Sequence, residues 1–236
     1  MWRQIPNAIT VLRLLLAVVF FAILSFYQYE GRGDPWFLNF AFLIALCAIT
    51  SDWLDGYLAR KWKVTSQFGR IVDPFVDKIL VLGSFAFFAG KNFIIPDTAT
   101  PHAGPAASFV VKTITGVTPA MVVILIAREL LVTTLRSIAE GGGQNFGAQW
   151  SGKLKMVFQS VTILVVLAYV NYFTWLSEHQ PAEQIARYTR DFCIWVTVIT
   201  TVWSGVLYVV KAVRVAGKPH VAADREVAAR EPVGSK

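Results

Sequence analysis

SDWLDGYLARKWKVTSQFGRIVDPFVDK, residues 51–78, holds four aspartates in a chain that otherwise keeps charge out of its long apolar runs. Asp52 and Asp55 are three residues apart, and Asp73 and Asp77 are four apart. Both spacings put the two members of a pair on one face of a helix. Two consecutive helices can therefore present two acids each to the same space, a pattern that suits cations better than solvation alone.

The surroundings of this stretch decide the fold class. Of 236 residues, 55% are hydrophobic and only 16% charged, with a mean hydropathy of +0.52. A soluble domain carries about 25% charge. Several apolar runs approach the roughly 20 residues that cross a hydrocarbon core, so the expected fold is an all-α integral membrane protein, one bundle of six transmembrane helices. The expected spans are about Ile5–Tyr27, Trp36–Arg60, Asp73–Ile95, Thr118–Ala139, Gly152–Trp175 and Ala186–Val213. Pro74 falls in the first turn of the third by this reading, and SEHQPAEQ, residues 177–184, separates the fifth from the sixth. The first run contains Arg13 and is followed by no small-residue cleavage site, so it reads as a retained helix rather than a signal peptide. Residues 1–213 form the membrane domain in this reading, and 214–236 a basic, flexible tail.

Lysine and arginine orient the spans. The N-terminus, the 60–70 loop, the 136–155 connection and the tail carry fourteen of them; the opposite loops carry five, Arg32, Lys91, Lys112, Arg187 and Arg190. Both termini and the acid-bearing helix ends are thus expected to be cytoplasmic. The formal charge of +7 comes with no nucleic-acid motif and points instead to anionic lipid headgroups. Cys47 and Cys193 lie within spans, and the three histidines show no ligand spacing, which argues against a disulfide and a zinc site.

Asp52 lies roughly 12 Å below Arg60 at 1.5 Å per residue, at or just under the headgroups. Four carboxylates at that depth are costly unless compensated. Ion pairs with Arg60, Arg70 or Lys78 are the ordinary account of any one aspartate, and a poor account of four. Two divalent cations restore neutrality, and oxygen ligands without His or Cys favour magnesium or manganese. Such a pair can clamp a diphosphate in an in-line displacement. Gly56 and Ala59 share the face of Asp52 and Asp55, leaving room for a ligand or for close helix packing.

Asp52-x2-Asp55-Gly56-x2-Ala59-Arg60-x8-Gly69-x3-Asp73-x3-Asp77 resembles, at every fixed position and spacing, the signature of the CDP-alcohol phosphotransferase family. The resemblance, which extends over residues 1–213, implies transfer of a phosphatidyl or related group from a CDP-linked donor to an alcohol with release of CMP. It implies that Asp52, Asp55, Asp73 and Asp77 hold two metal ions and that Asp77 also takes the proton of the attacking hydroxyl. Gly56, Ala59, Arg60 and Gly69 would line the donor site, with Asn7 and Thr10 near the donor phosphates. A homodimer in the bacterial cytoplasmic membrane is implied as well.

The signature leaves the acceptor open. Asn7-x2-Thr10-x2-Arg13, Asp73-Pro74-x2-Asp77-Lys78, Ala127-Arg128-Glu129 with Leu135-Arg136, and Gly152-Lys153-x-Lys155-x3-Gln159 are most similar to the members that join CDP-diacylglycerol to glycerol 3-phosphate. Met156 departs from the threonine usual in them. A phosphorylated acceptor needs cations, and Arg128, Arg136 and Lys153 are the expected ones. On the plainer reading Glu129 neutralises an arginine and the lysines follow the charge bias; for Lys155 that reading is preferred. Phosphatidylglycerol, inositol phosphate and serine remain alternative acceptors. A cation transporter would place its acids near the midplane, and a scaffold acting through its basic tail would not need them.

Overall fold

The computed structural model describes residues 5–28, 35–62, 67–94, 113–141, 150–178 and 180–216. They form six α-helices: α1 Ile5–Phe26, α2 Pro35–Trp62, α3 Gln67–Phe88, α4 Pro119–Gly141, α5 Trp150–Glu178 and α6 Gln180–Ala216. Among the described residues there is no strand, only an isolated antiparallel bridge between Ile94 and Thr113. Helix α5 lies along α6, α1 along α2, and further contacts join α4 to α6, α1 to α3 and α2 to α5.

Each helix has a buried stripe at alternating spacings of three and four. On α1 it runs Thr10, Arg13, Ala17, Phe20, Leu24; on α2 it runs Leu38, Ala41, Ala45, Ala48. Continued at the same spacing, the α2 stripe arrives at Asp52 and Asp55. The three alanines suit close approach of backbones, a main source of helix association where lipid replaces water. The opposite faces carry Val11, Leu15 and Val18 on α1 and Trp195, Ile199 and Trp203 on α6, all exposed. Arg13, Gln159, Thr162, Thr197, Thr201 and Ser204 face inward. An apolar outer surface, with polar side chains turned inward among the apolar core, suits a lipid surround. Among the described residues two segments, Gly152–Tyr172 and Pro181–Arg214, are long and apolar enough to cross a membrane. Interior hydroxyls return to their own helices, as Ser84 does to the Leu80 carbonyl at 2.6 Å, or join neighbours, as Thr162 and Thr197 do at 2.8 Å between α5 and α6.

Three expectations need correction. Helix α3 begins at Gln67 and ends at Phe88, so Pro74 is the eighth residue rather than part of the first turn. A proline so near the start removes one backbone bond and is tolerated where neighbouring helices support the turn. SEHQPAEQ does hold the break between the fifth and sixth helices, but the break is shorter than expected: α5 continues to Glu178 and α6 starts at Gln180, which places Arg187 and Arg190 in α6 rather than in a loop. Finally, α6 runs to Ala216, past the expected boundary at 213. The rest of the tail lies outside the described residues.

The end of the molecule away from the acids is closed by aromatic and polar contacts. The Phe21 ring stacks on Phe87 at 5.4 Å and presses on the bare Cα of Gly83. Asn92 donates to the carbonyls of Leu24 and Ser25, which the end of α1 leaves open. Arg190 donates to the Ile114 carbonyl at 2.5 Å, pairs with Asp191, and lies 4.4 Å over the Tyr169 ring. Gly116 sits at φ +74, and a Cβ added to it would stand 3.0 Å from Arg190 Nε, so a side chain there has neither the backbone freedom nor the space.

Candidate active site

A cavity of about 420 Å³ lies where the middle parts of α3 and α4 meet the N-terminal half of α5 and the C-terminal half of α6. That volume falls within the usual range of small-ligand sites. Asp77 and Lys78 reach it from α3, Arg128, Glu129 and Arg136 from α4, Lys153, Lys155 and Gln159 from α5, and Tyr208 from α6. Five cations face two carboxylates across this lining, a surplus of three positive charges. A pocket so charged, with low-dielectric walls, favours an anion.

Arg128 and Arg136 meet as their spacing of eight requires, two turns apart on one face of α4. The Tyr208 ring sits between them, 5.8 Å from the Arg128 guanidinium carbon and 6.0 Å from that of Arg136. Arg136 also donates to the Tyr208 hydroxyl at 3.1 Å. Arg128 donates to Glu129 at 2.7 Å and to Ser204 Oγ at 2.5 Å. Gly205 makes room for it, since a Cβ there would stand 3.2 Å from Arg128 Cγ. Both arginines keep a buried Nε–H without a hydrogen-bond partner. Such donors are costly inside a protein and ready for an anionic oxygen. Lys153 lines the same cavity from its exposed rim.

Lys155 differs from its sequence reading. It is buried, and its ammonium bonds Glu129, which thereby holds Lys155 and Arg128 together. Burial asks more of a lysine than a general bias toward basic loops does, so Lys155 is part of the wall. Lys78 donates to Thr133 Oγ1 at 2.5 Å, bridging α3 and α4.

Asp77 stands at the back of the cavity. Its Oδ1 accepts from Arg13 Nη1 at 3.1 Å, and Arg13 is 1% exposed. A guanidinium so deeply buried needs a carboxylate beside it. Asp77 also borders a second, much smaller space that Ala45, Ala48 and Ile49 of α2 help line. Asp77 of α3 and the Ala45–Ala48 face of α2 thus border one space, and Ala48 precedes Asp52 by four residues in the same helix. Asp52 and Asp55 lie within continuous helix α2, and Asp73 and Asp77 within α3, which preserves both pair spacings. Four carboxylates supply hard oxygens, the donor type that suits divalent cations. The side chains of Asp52, Asp55 and Asp73, and the surroundings of Asn7, Gly56, Ala59, Arg60 and Gly69, lie outside the described residues. Thr10 is fully buried on the α1 face that carries Arg13.

The structure thus brings Asp77, Arg128, Arg136 and Lys153 to one cavity. Sequence reasoning missed Ser204 and Tyr208. Their signal was a polar series in an apolar helix, Thr197, Thr201, Ser204 and Tyr208 at spacings of four, three and four, all buried.

Comparison with known proteins gives this cavity a context. The chain is similar to proteins named CDP-diacylglycerol–glycerol-3-phosphate 3-phosphatidyltransferase from several bacteria. The Haemophilus influenzae protein is 30% identical over 208 residues, 87% of this chain and 91% of that one. The Bacillus subtilis protein is 29% identical over 209 residues, 86% and 91% of the two chains. The Sodalis glossinidius protein is 31% identical over 169 residues, 71% and 78%. Residues 3–210 match the family model described as CDP-alcohol phosphatidyltransferase, and the chain belongs to that family.

Proposed function

We propose that the protein is a phosphatidylglycerophosphate synthase, transferring the phosphatidyl group of CDP-diacylglycerol to the primary hydroxyl of glycerol 3-phosphate. The names of the relatives support this donor and acceptor. The observation that carries the acceptor is the cavity itself. Arg128, Arg136 and Lys153 gather within about 420 Å³ of space that Asp77 also borders, a volume for a small phosphorylated polyol.

In the reaction the acceptor hydroxyl oxygen forms a bond to the phosphorus that carries the diacylglycerol, and the bond from that phosphorus to the CMP oxygen breaks. Asp77 accepts the hydroxyl proton as the new bond forms. Arg13 holds the Asp77 carboxylate in place through its 3.1 Å bond. The Arg128 and Arg136 guanidiniums, spaced by Tyr208, fix the acceptor phosphate and leave the far hydroxyl directed at Asp77. Asp52, Asp55, Asp73 and Asp77 would hold two divalent cations, which supply charge compensation for the donor diphosphate and the departing CMP. Gly56, Ala59, Arg60 and Gly69, with Asn7 and Thr10, form the donor site.

Six membrane crossings, cytoplasmic termini and a cytoplasmic cavity belong to the same proposal, on the strength of the lysine and arginine distribution. The homodimer does too, as a property the family resemblance suggests.

The test is CMP release from CDP-diacylglycerol by purified protein against a panel of glycerol 3-phosphate, phosphatidylglycerol, inositol phosphate and serine. Turnover with glycerol 3-phosphate alone is expected. Preference for another acceptor would move the assignment to that alcohol.

A further inference from the structure

Gln159 has no part in the chemistry above, yet it lines the cavity. It is 2% exposed, and its Nε2 has no hydrogen-bond partner. An amide buried without a partner costs about 1–3 kcal/mol, so a purely packing role is an expensive use of this position. Methionine has nearly the same length and would fill the space without that cost.

Its placement is informative. On α5, Gln159 stands one turn inward from Lys155 and six residues inward from Lys153, about 9 Å at 1.5 Å per residue. Lys153 marks the exposed rim where the acceptor phosphate is held. The stretch from a phosphate oxygen through the ester oxygen and two carbons to the secondary hydroxyl, with a hydrogen bond at each end, spans a distance of that order. Arg128, Arg136 and Lys155 supply only donors, and Glu129 is occupied by Arg128 and Lys155. A neutral amide is different, because its unpartnered Nε2 can donate to a hydroxyl oxygen without adding a charge to the site.

We propose that Gln159 is a specificity-determining residue that recognises the secondary, non-reacting hydroxyl of the acceptor polyol phosphate. The inference rests on the acceptor reading given above and adds the part of the acceptor that the cations do not read. The arginines fix the phosphate, Asp77 takes the proton of the reacting hydroxyl, and Gln159 distinguishes a polyol from a simple alkanol phosphate. A site built around a hydroxyl disfavours the analogue that lacks it, because its own polar group then stays unpaired.

The experiment compares glycerol 3-phosphate with 3-hydroxypropyl phosphate, which keeps the phosphate and the primary hydroxyl and lacks the secondary one. Each is assayed as acceptor by CMP release from CDP-diacylglycerol. The wild-type protein should favour glycerol 3-phosphate in kcat/KM by about 10- to 100-fold. Gln159→Met should collapse that preference toward unity, chiefly by lowering kcat/KM for glycerol 3-phosphate. Because the preference is a ratio measured on one preparation, a loss of folded protein cancels from it. Gln159→Met with an unchanged ratio would overturn the proposal. So would a wild-type protein indifferent to the two acceptors, a result that needs no variant. Failure of the acceptor reading looks different, since the wild-type protein would then turn over neither compound while accepting another member of the panel.

Discussion

Gly205→Ala tests how tightly the packing of α6 on α4 sets the anion site. The added Cβ would lie 3.2 Å from Arg128 Cγ, against an optimal carbon–carbon separation of about 3.5–4.0 Å. Something must therefore move by a few tenths of an ångström. Arg128 cannot swing away freely, for its guanidinium is bound to Glu129 at 2.7 Å and to Ser204 at 2.5 Å. Ser204 and Tyr208 lie on the helix that carries the new methyl, so the displacement passes to both partners of the arginine. Overpacking of this kind costs about 1–3 kcal/mol. If the lower half of that range falls on acceptor binding, KM for glycerol 3-phosphate rises about 5- to 30-fold, at 1.4 kcal/mol per factor of ten. KM for CDP-diacylglycerol should stay within about twofold, because surface and remote changes are usually worth less than 0.5 kcal/mol. The assay is CMP release with each substrate varied in turn. Gly141→Ala is the control, since a Cβ there meets nothing within 4 Å. An unchanged acceptor KM in Gly205→Ala, or a parallel rise for both substrates, would refute the link from helix packing to anion binding.

Other outcomes follow from the same contacts. Asp77→Asn removes the proton acceptor and should lower kcat by about 100-fold or more, and chelation of divalent ions should abolish CMP release until magnesium or manganese is returned. Glu129→Gln leaves Lys155 and Arg128 side by side without their shared carboxylate; a loss of about 3–5 kcal/mol is expected from unpairing a buried charge, read as a lower melting temperature in detergent. Adding Lys155→Met to that variant should recover part of the loss. Gly116→Ala forces a side chain into φ +74 against Arg190 and should destabilise by about 1 kcal/mol or more, while kcat and both KM values of the remaining folded protein stay at wild-type levels.

What the sequence made readable were features with a short period. The aspartate pairs, the eight-residue spacing of Arg128 and Arg136, and the small residues of α2 all follow from 3.6 residues per turn, so their sharing of faces needed no tertiary information. Helix limits were harder where composition and geometry part company. Polar residues 177–184 look like a loop, but helices α5 and α6 continue through most of them, because a helix leaving an apolar layer has no reason to stop. Pro74 resembles a helix start, yet α3 had already begun at Gln67. By sequence, Lys153 falls to the acceptor phosphate and Lys155 to the general charge bias, with no sign of the Lys155 partner. Only the fold turns one toward Glu129 and the other to the rim. The Arg13–Asp77 pair spans 64 positions and no local pattern announces it.

That pair has a consequence for how the protein comes into being. Arg13 lies on α1 and Asp77 on α3, whereas Gln159 and Tyr208 come from α5 and α6, which are made later. A nascent chain that has made α1 to α4 carries the whole aspartate signature together with Arg128 and Arg136, but lacks Lys153, Lys155, Gln159 and Tyr208. The cavity that captures the acceptor is therefore complete only when α5 and α6 have docked.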